Sequence, residues 1–531
     1  MEKKINFQKS LPFFILTVFF IIGINIYDDY GISWDEYNER IGGFVSLNFV
    51  RETFSLETYP GFPKLGDYIY SNYGVMFNLP MAYIEKTFLI DDIKQIFLIR
   101  HLFNFIIFFI SSVFFFLLLK KRFSNLLSTI GLIFFYLSPR IFADSFYNNK
   151  DIVFLSFFII SLFYAISFLN TPSYKNTFLL SITSSLAIAT RVMGIIVPFI
   201  VLIFFVLRYL DKKSDLKKNI SKIIVLFFLL NTFTLLFWPY LWNDPINNLL
   251  STFKSMSGYQ WRGGIFYLNE YISALNLPWH YPIVWILIST PILYLFLFFL
   301  GSYLILVRFL KRFINLSEKK IFNDIYRGNK ERMDIIVFFI LFITLFLVIE
   351  FNSTLYNGWR QLYFIYPCLI FLSVRGLELI SKKFTSRNTI IFISPFLIFT
   401  CLWMVTNHPF QFVYFNKFAG NNIMNNFELD YSGTSNRSAL SYIAKNDIRN
   451  EINLHIFSVS PYHWSLLMID AEDRKRFKFT KNIDEANFIV TNHFYQKNSP
   501  SKVRQDLKKK YKLYKEFMVD GIPINSIYIR N

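Results

Sequence analysis

The chain has 531 residues, 54% of them hydrophobic, with 67 Phe, 32 Tyr and a formal net charge of +19. Soluble domains are about 45–50% apolar, so this composition, with its long apolar runs, excludes a soluble globular protein. A net charge this high would suit nucleic acid, but the Lys and Arg residues gather in stretches between apolar runs, which excludes that class of partner. We predict an all-α polytopic membrane protein.

Apolar runs recur through the first three quarters of the chain. A helix of about 20 apolar residues crosses a bilayer, so these runs and their flanks predict about 11 transmembrane helices. The first run follows several lysines and lacks a cleavage site of small residues, and we interpret it as a retained signal anchor. The runs are Leu11–Ile26, Ile96–Leu119, Leu126–Leu137, Ile152–Leu169, Phe178–Ala189, Gly194–Leu210, Ile223–Trp238, Ile283–Val307, Ile335–Ile349, Gln361–Val374 and Ile390–Val405.

The distribution of positive charge predicts the orientation of these helices. Alternate connecting stretches hold 25 Lys and Arg residues, whereas the stretches on the other side hold 11 outside the C-terminal region. Cytoplasmic loops carry the excess of positive charge. We therefore predict a multi-pass plasma (inner) membrane protein with a cytoplasmic N-terminus, whose outer loops are 28–95, 138–151, 239–281 and 351–360.

The composition changes at about Asn407, so we predict a transmembrane domain over residues 1–406 and a second domain over 407–531. Because the count of spans is odd, this small α+β domain is expected to be extracytoplasmic. Segments with the pattern of strands or helices are Glu451–Ser458 and Ala486–Thr491 as strands, Ser438–Lys445 and Ser501–Tyr511 as helices, and Met518–Arg530 as a hairpin.

Two adjacent carboxylates, Asp35 and Glu36, follow the first apolar run within Gly31–Asn38. A carboxylate at the surface of a bilayer can deprotonate an acceptor hydroxyl as a general base. The alternative is a solvated loop that begins after a membrane helix. Adjacent side chains do not point the same way on a regular element, so the two carboxylates are expected to differ in role.

This acidic pair in the first outer loop resembles that of the GT-C superfamily of membrane glycosyltransferases. Within the superfamily, the chain looks like the branch of protein O-mannosyltransferases and bacterial lipid A aminoarabinose transferases. Further segments carry the resemblance over most of the chain. They are Ser138–Asp151, Tyr356–Phe364, His408–Asn416 and Glu428–Tyr431.

The resemblance implies a sugar donor on a polyprenyl phosphate, used at the outer face with inversion at the anomeric carbon. It places the general base at Asp35, with Glu36 as a second catalytic candidate that could instead orient a helix or bind the acceptor. Members of the branch often carry histidine near the position of Asp144, where this chain has aspartate, so the role of that position does not transfer directly.

Other polar residues at the predicted outer boundary are candidates to bind the donor phosphate or line the site. Arginine binds phosphate bidentately, and three arginines lie there against the positive-inside trend; the alternative is a snorkelling side chain or an ion pair. Asn148, Asn149 or Asp151 could instead cap the helix that runs through Ile152. The candidates are Arg191, Arg360, Arg100, Asp144, Asn148, Lys150 and Asp151.

We predict no metal or other cofactor, and a divalent cation between Asp35 and Asp144 remains the alternative. The predicted partners are a polyprenyl-phosphate sugar donor, a lipid, glycan or protein acceptor, and membrane lipids, with no nucleic acid. The competing function is a polysaccharide or lipid transporter, or flippase, without transferase activity. Transporters place charges near the bilayer midplane and often have repeated halves, whereas here the polar residues lie at one boundary and no halves match.

Overall fold

The computed structural model of the protein describes residues 7–210, 216–257, 261, 263–319, 325–494 and 510–531. Most of them are helical, as the apolar runs predicted. The helices of the first 406 residues are α1 (Phe7–Ile26), α2 (Glu36–Thr53), α3 (Asn78–Thr87), α4 (Ile93–Lys120), α5 (Asn125–Tyr136), α6 (Pro139–Tyr147), α7 (Asp151–Asn170), α8 (Tyr174–Ile188), α9 (Ile196–Leu210), α10 (Leu216–Phe237), α11 (Pro245–Ser257), α12 (Tyr281–Ser289), α13 (Ile292–Lys319), α14 (Gly328–Glu350), α15 (Tyr366–Lys383) and α16 (Ser386–Thr406).

Seven helices in the described residues are long and apolar enough to cross a membrane, and an eighth results if α5 and α6 form one broken span. The chain is thus a multi-pass membrane protein, as predicted, while the number of 11 spans stays a prediction. Helices α5 and α6 meet at an angle of 65°. Pro139 is the first residue of α6, a position where the missing N–H of proline loses no helical hydrogen bond. The predicted span at Leu126–Leu137 is therefore followed by a sharp turn into the predicted 138–151 loop.

Close contact between α13 and α15 depends on two glycines. A Cβ atom at Gly301 would collide with the carbonyl oxygen of Leu372, and one at Gly376 would collide with that of Leu297. The absence of a side chain at these positions lets two backbones touch, as small residues do at membrane helix interfaces. The surrounding core consists largely of buried aromatic and aliphatic side chains.

At the end of the bundle far from the predicted outer loops, a buried carboxylate joins four helices. Asp334 of α14 accepts a hydrogen bond from Nε of Arg122, just beyond α4, at 2.6 Å, and Nη2 of Arg308 in α13 lies 3.0 Å from it. Arg122 also pairs with Glu378 of α15 at 3.1 Å. A buried charge is tolerated when it is paired in this way, and the cluster fixes the helices relative to each other.

After α16 the chain forms an α+β unit. Its helices are α17 (Asn436–Asn446), α18 (Tyr462–Ser465) and α19 (Ala471–Arg474), and its strands are β3 (Ile452–Ile456), β4 (Phe477–Phe479), β5 (Phe488–Thr491), β6 (Tyr511–Val519) and β7 (Ile522–Arg530). The earlier strands β1 (Gly264–Tyr267) and β2 (Glu270–Ser273) form a separate hairpin.

The five strands of this unit are ordered β4-β3-β5-β7-β6. Strand β3 is parallel to both its neighbours, and β7 is antiparallel to β5 and β6. The predicted Asp520-Gly521 turn joins β6 to β7 with positive φ at both residues, the conformation that favours this dipeptide. Of the predicted helix Ser501–Tyr511, residues 501–509 lie outside the described residues, and Tyr511 begins β6 instead.

Polar contacts attach this unit to the start of the first predicted outer loop. Arg437 of α17 donates from Nη1 to the carbonyl oxygen of Tyr30 at 2.8 Å, and the Trp34 amide donates to the carbonyl oxygen of Ser432 at 2.9 Å. The Trp34 indole also meets that of Trp464 edge to face, with ring centres 5.9 Å apart. The residue after Trp34 is Asp35, so these contacts fix the backbone beside the first carboxylate.

Candidate functional site

A cavity of about 590 Å³ lies where α2 approaches the ends of α7, α9 and α14. Its lining combines charged and apolar side chains. The charged ones are Asp35, Glu39, Lys150, Arg191 and Arg360, and the apolar ones include Phe154, Val192, Ile196, Leu347 and Val348. A mixed lining of this kind can take an amphiphilic ligand.

Asp35 stands immediately before α2 and its side chain makes no capping hydrogen bond. The carboxylate instead accepts a hydrogen bond from Nη1 of Arg360 at 2.6 Å, and the side chain remains 40% exposed. Burial raises the pKa of this carboxyl, but the positive charges of Arg360, Lys150 and Arg191 outweigh that effect and hold the pKa below its ordinary value. Asp35 is thus ionised at neutral pH and accessible from the cavity.

Arg360 and Arg191 are brought together by Asp151, the first residue of α7. The Asp151 carboxylate pairs with Arg191 through one oxygen and lies 3.4 Å from Nη1 of Arg360 through the other, and it is only 1% exposed. Among the residues that the structure describes, the buried Nε–H of each guanidinium has no hydrogen-bond partner. Asp151 therefore positions two cations beside Asp35.

Lys150 brings a third positive charge to the cavity. Its ammonium lies 2.9 Å from a carboxylate oxygen of Glu39 and 3.5 Å from the centre of the Tyr73 ring. Glu39 also accepts a hydrogen bond from the side-chain amide of Asn78 at 2.5 Å. Glu39 was not among the residues predicted from the sequence, although it follows Asp35 by four residues, a spacing that places two side chains on one face of a helix.

Glu36 points away from the cavity. Its carboxylate is 1% exposed, lies 2.9 Å from Nε2 of His101, and accepts a hydrogen bond from the Ser33 amide at 2.6 Å. Successive residues on a helix point about 100° apart, so α2 separates the two adjacent carboxylates. Glu36 joins the first loop to α4, while Asp35 faces the cavity.

Two other candidates are buried and do not line the cavity. Arg100 is 1% exposed and donates to the side-chain oxygen of Asn78, so it lies behind the contact between Asn78 and Glu39. Asp144 is 2% exposed, and its carboxyl interacts with the nearby side chains of Tyr147 and Tyr363. Both can support residues of the cavity, but neither reaches a bound ligand in this conformation.

Asn148 caps α7, which was one of the alternatives left open by the sequence. Its side-chain oxygen accepts from the Asp151 amide at 2.9 Å, and its side-chain nitrogen lies 3.2 Å from the Asp151 carboxylate. Asn148 thereby holds the residue that positions Arg191 and Arg360. It also lines a second, small cleft next to Asp35.

This small cleft has a volume of about 20 Å³. Asp35, Lys150 and Arg360 line both spaces, so the cleft and the cavity meet at the carboxylate. The full lining of the cleft is Ser33, Trp34, Asp35, Tyr147, Asn148, Asn149, Lys150, Asn357, Arg360, Tyr431 and Ser432.

Comparison with known proteins gives one family and several solved structures. Residues 91–238 match the family model described as dolichyl-phosphate-mannose-protein mannosyltransferase. This region contains Lys150, Asp151 and Arg191 but neither Asp35 nor Arg360. No curated protein sequence matches the chain.

The solved structures resemble the chain over almost its whole length at low sequence identity. ArnT from Cupriavidus metallidurans, bound to undecaprenyl phosphate, is 11% identical over 98% of this chain and 97% of its own, with a TM-score of 0.47. AglB from Archaeoglobus fulgidus, an oligosaccharyltransferase in complex with an inhibitory peptide and a dolichol-phosphate, is 11% identical over 92% and 70%, with a TM-score of 0.49. The apo form of the Archaeoglobus fulgidus oligosaccharyltransferase is 12% identical over 91% and 66%, with a TM-score of 0.50, a likeness of fold.

Proposed function

We propose that this chain, a membrane glycosyltransferase of the GT-C superfamily, transfers a sugar from a polyprenyl phosphate to an acceptor hydroxyl at the outer face of the membrane, with inversion at the anomeric carbon. The observation that carries the proposal is the placement of the ionised, accessible Asp35 carboxylate beside Arg191 and Arg360 in one cavity. The competing function, a transporter without transferase activity, is not supported by the family match.

Asp35 is the proposed general base. The acceptor oxygen attacks the anomeric carbon while Asp35 takes the hydroxyl proton and the bond between the anomeric carbon and the phosphate oxygen breaks, leaving its electrons on the phosphate. A single displacement of this kind inverts the anomeric configuration. A positioned general base typically contributes about 10²–10⁴-fold to the rate.

The leaving phosphate needs positive charge, which the two arginines and Lys150 supply. The guanidiniums of Arg191 and Arg360 line the cavity and can donate to its oxygens, and charge-assisted hydrogen bonds to phosphate are strong in a partly dry cavity. Asp151 keeps both arginines in place. When the phosphate draws Arg360 away from Asp35, the carboxylate loses its nearest positive charge and becomes a stronger base.

The apolar side chains of the cavity suit the hydrocarbon chain of a lipid-linked donor. The side chains of Phe154 and Ile196, with Leu347 and Val348 of α14, line the same cavity as the charged residues. A polyprenyl chain can lie there while its phosphate reaches the arginines. The family whose model matches residues 91–238 is described by its use of dolichyl-phosphate-mannose, a donor of this chemical class.

The test is a transfer assay with the purified protein in liposomes. Polyprenyl-phosphate sugars are extracted from membranes of cells that lack the protein, and released polyprenyl phosphate is measured together with the glycosylated product. We expect release by the wild type, loss with Asp35→Asn, and an anomeric configuration in the product opposite to that of the donor by NMR. We also expect activity to persist in excess EDTA, because the protein's own cations stabilise the leaving group. Retention of configuration or full activity of Asp35→Asn would refute the mechanism.

A further inference from the structure

We infer that Asn78 and Arg100 are positioning residues of the proposed reaction. They act through Glu39, which keeps the Lys150 ammonium beside Asp35. The inference rests on the proposed function and adds to it a set of contacts at the wall of the cavity. It is carried by an unbroken series of hydrogen bonds and ion pairs between side chains of low exposure, and by the packing of α3 on α2.

Lys150 depends on its partners for its position in the cavity. A lysine side chain is a flexible stem with a compact charge at its end, so the contacts of the ammonium set its location. A carboxylate oxygen of Glu39 lies 2.9 Å from the ammonium, and the centre of the Tyr73 ring lies 3.5 Å from it. The side chains of Lys150 and Glu39 are only 13% and 12% exposed. The Glu39 carboxylate therefore determines where this cation stands in the cavity lining.

Asn78 holds the second oxygen of the Glu39 carboxylate. The Asn78 side-chain nitrogen donates to Oε2 of Glu39 at 2.5 Å, while Oε1 accepts from the Lys150 ammonium. The Asn78 side-chain oxygen accepts a hydrogen bond from Nη2 of Arg100. A guanidinium only donates and a carboxylate only accepts, so the group between them must do both, as an amide does. Arg100 thereby fixes the amide in the orientation that presents its N–H to Glu39.

The packing of two helices brings these side chains together. Glu39 and Gly43 are four residues apart and lie on one face of α2. A Cβ atom at Gly43 would collide with the carbonyl oxygen of Asn78, so glycine lets the start of α3 approach this face. Asn78 and Arg100 are 3% and 1% exposed. Because water has little access to them, solvent does not replace a hydrogen bond that a substitution removes.

The position of Lys150 matters because its charge acts on Asp35. Burial raises the pKa of Asp35, but the positive charges of Arg360, Lys150 and Arg191 outweigh that effect and lower it. If Lys150 moved away, the pKa of Asp35 would rise, the base would be protonated at a higher pH, and the acid limb of the rate profile would move up in pH. The other titratable side chains around Asp35 and Lys150, which the substitutions below leave unaltered, are Glu39, Tyr73, Tyr147, Asp151, Tyr356 and Tyr431.

A double-mutant comparison tests the inference. The variants are Asn78→Ala, Lys150→Met and the two combined, and the rate of polyprenyl phosphate release at saturating donor is measured across pH. A close opposite charge typically lowers the pKa of a carboxyl by about 1–3 units. Since Lys150 is one of three such charges, we expect Lys150→Met to move the acid limb up by about one pH unit. Asn78→Ala should move the limb in the same direction, and the double variant should match Lys150→Met. Independent effects would add, so additive shifts would overturn the inference.

Asn48→Ala is the matched control for a purely structural effect. Asn48 is 8% exposed and lies on α2, and both atoms of its side-chain amide bond to the backbone of Tyr59. It does not line the cavity. We expect this variant to lower Tm, as Asn78→Ala does, while the acid limb stays at its wild-type pH. An unmoved limb in Asn78→Ala would give that residue the same structural role and overturn the inference.

Two Arg100 variants decide if Asn78→Ala does not fold. Arg100→Lys keeps a charged donor for the Asn78 side-chain oxygen, whereas Arg100→Met removes the donor and keeps a long side chain. We expect the Lys variant to retain the wild-type limb and the Met variant to move it up in pH, with no further shift when Lys150→Met is added. Equal limbs in the two Arg100 variants would overturn the inference. Absence of release by the wild type, or full activity of Asp35→Asn, would instead refute the proposed function.

Discussion

Asp35 and Glu36 are adjacent in sequence, yet the structure gives them opposite surroundings, and this contrast allows a sharp test. Asp35 is 40% exposed in the cavity, whereas Glu36 is 1% exposed and bound to His101 and the Ser33 amide. Asparagine keeps the shape of Asp35 but cannot take a proton. We therefore expect Asp35→Asn to lower turnover by about 10²–10⁴-fold with little change in Tm.

The Glu36 variants should behave in the reverse manner. Glu36→Ala leaves the buried His101 ring and the Ser33 amide without their partner, and each buried polar group left unpaired costs about 1–3 kcal/mol. Glu36→Gln can still accept one of the two hydrogen bonds, so we expect a smaller loss of about 1–3 kcal/mol. The Gln variant should therefore unfold at a lower temperature and retain most of its turnover at temperatures where it is folded.

The assay pairs a fluorescence thermal unfolding measurement in detergent with the rate of polyprenyl phosphate release. Each variant is compared with wild type at one temperature below all the transitions. The reasoning fails if Glu36→Gln loses turnover at an unchanged Tm, or if Asp35→Asn loses stability and keeps its turnover. Either result would mean that Glu36, and not Asp35, takes the proton.

Three further results are expected. Arg360→Ala should weaken donor binding by more than 10-fold, while Arg360→Lys restores only part of it because lysine keeps the charge without the planar fork; equal binding by both variants would contradict a bidentate contact. Lys150→Met removes one of the charges that lower the pKa of Asp35, so the base becomes protonated at a higher pH, and the acid limb of the rate profile should move up in pH; an unmoved limb would refute this coupling. In a cysteine-free background, a cysteine at exposed Asn269 should react with an impermeant reagent added outside, and one at exposed Arg387, in the first turn of α16, should not; the opposite pattern would invert the predicted orientation.

The positively charged residues of the cavity could be anticipated from single residues because unusual charges were visible in the sequence. Arg191 and Arg360 stand out as cations on the predicted outer side, where positive charge is disfavoured, and both line the cavity with Lys150. Arg100 met the same criterion, yet it is buried behind Asn78. The position of an arginine along a membrane helix predicts how deep its backbone lies in the bilayer, but it does not predict the direction in which the side chain points.

The surroundings of Glu39 depended on contacts that have no local signal in the sequence. Its partners Lys150 and Asn78 come from separate segments of the chain. The spacing of residues within one helix indicates that Asp35 and Glu39 share a face, but the residues that bind Glu39 lie elsewhere in the chain.

Hydrophobic length and turn conformation are local properties that the chain displays residue by residue, so the membrane class and the hairpin at Asp520-Gly521 could be predicted from the sequence. Which member of the Asp35–Glu36 pair faces the cavity, and how Asp151 joins Arg191 to Arg360, became clear in the packed structure. Those outcomes follow from helix phase and from contacts between residues up to several hundred positions apart, which exist only once the helices have packed.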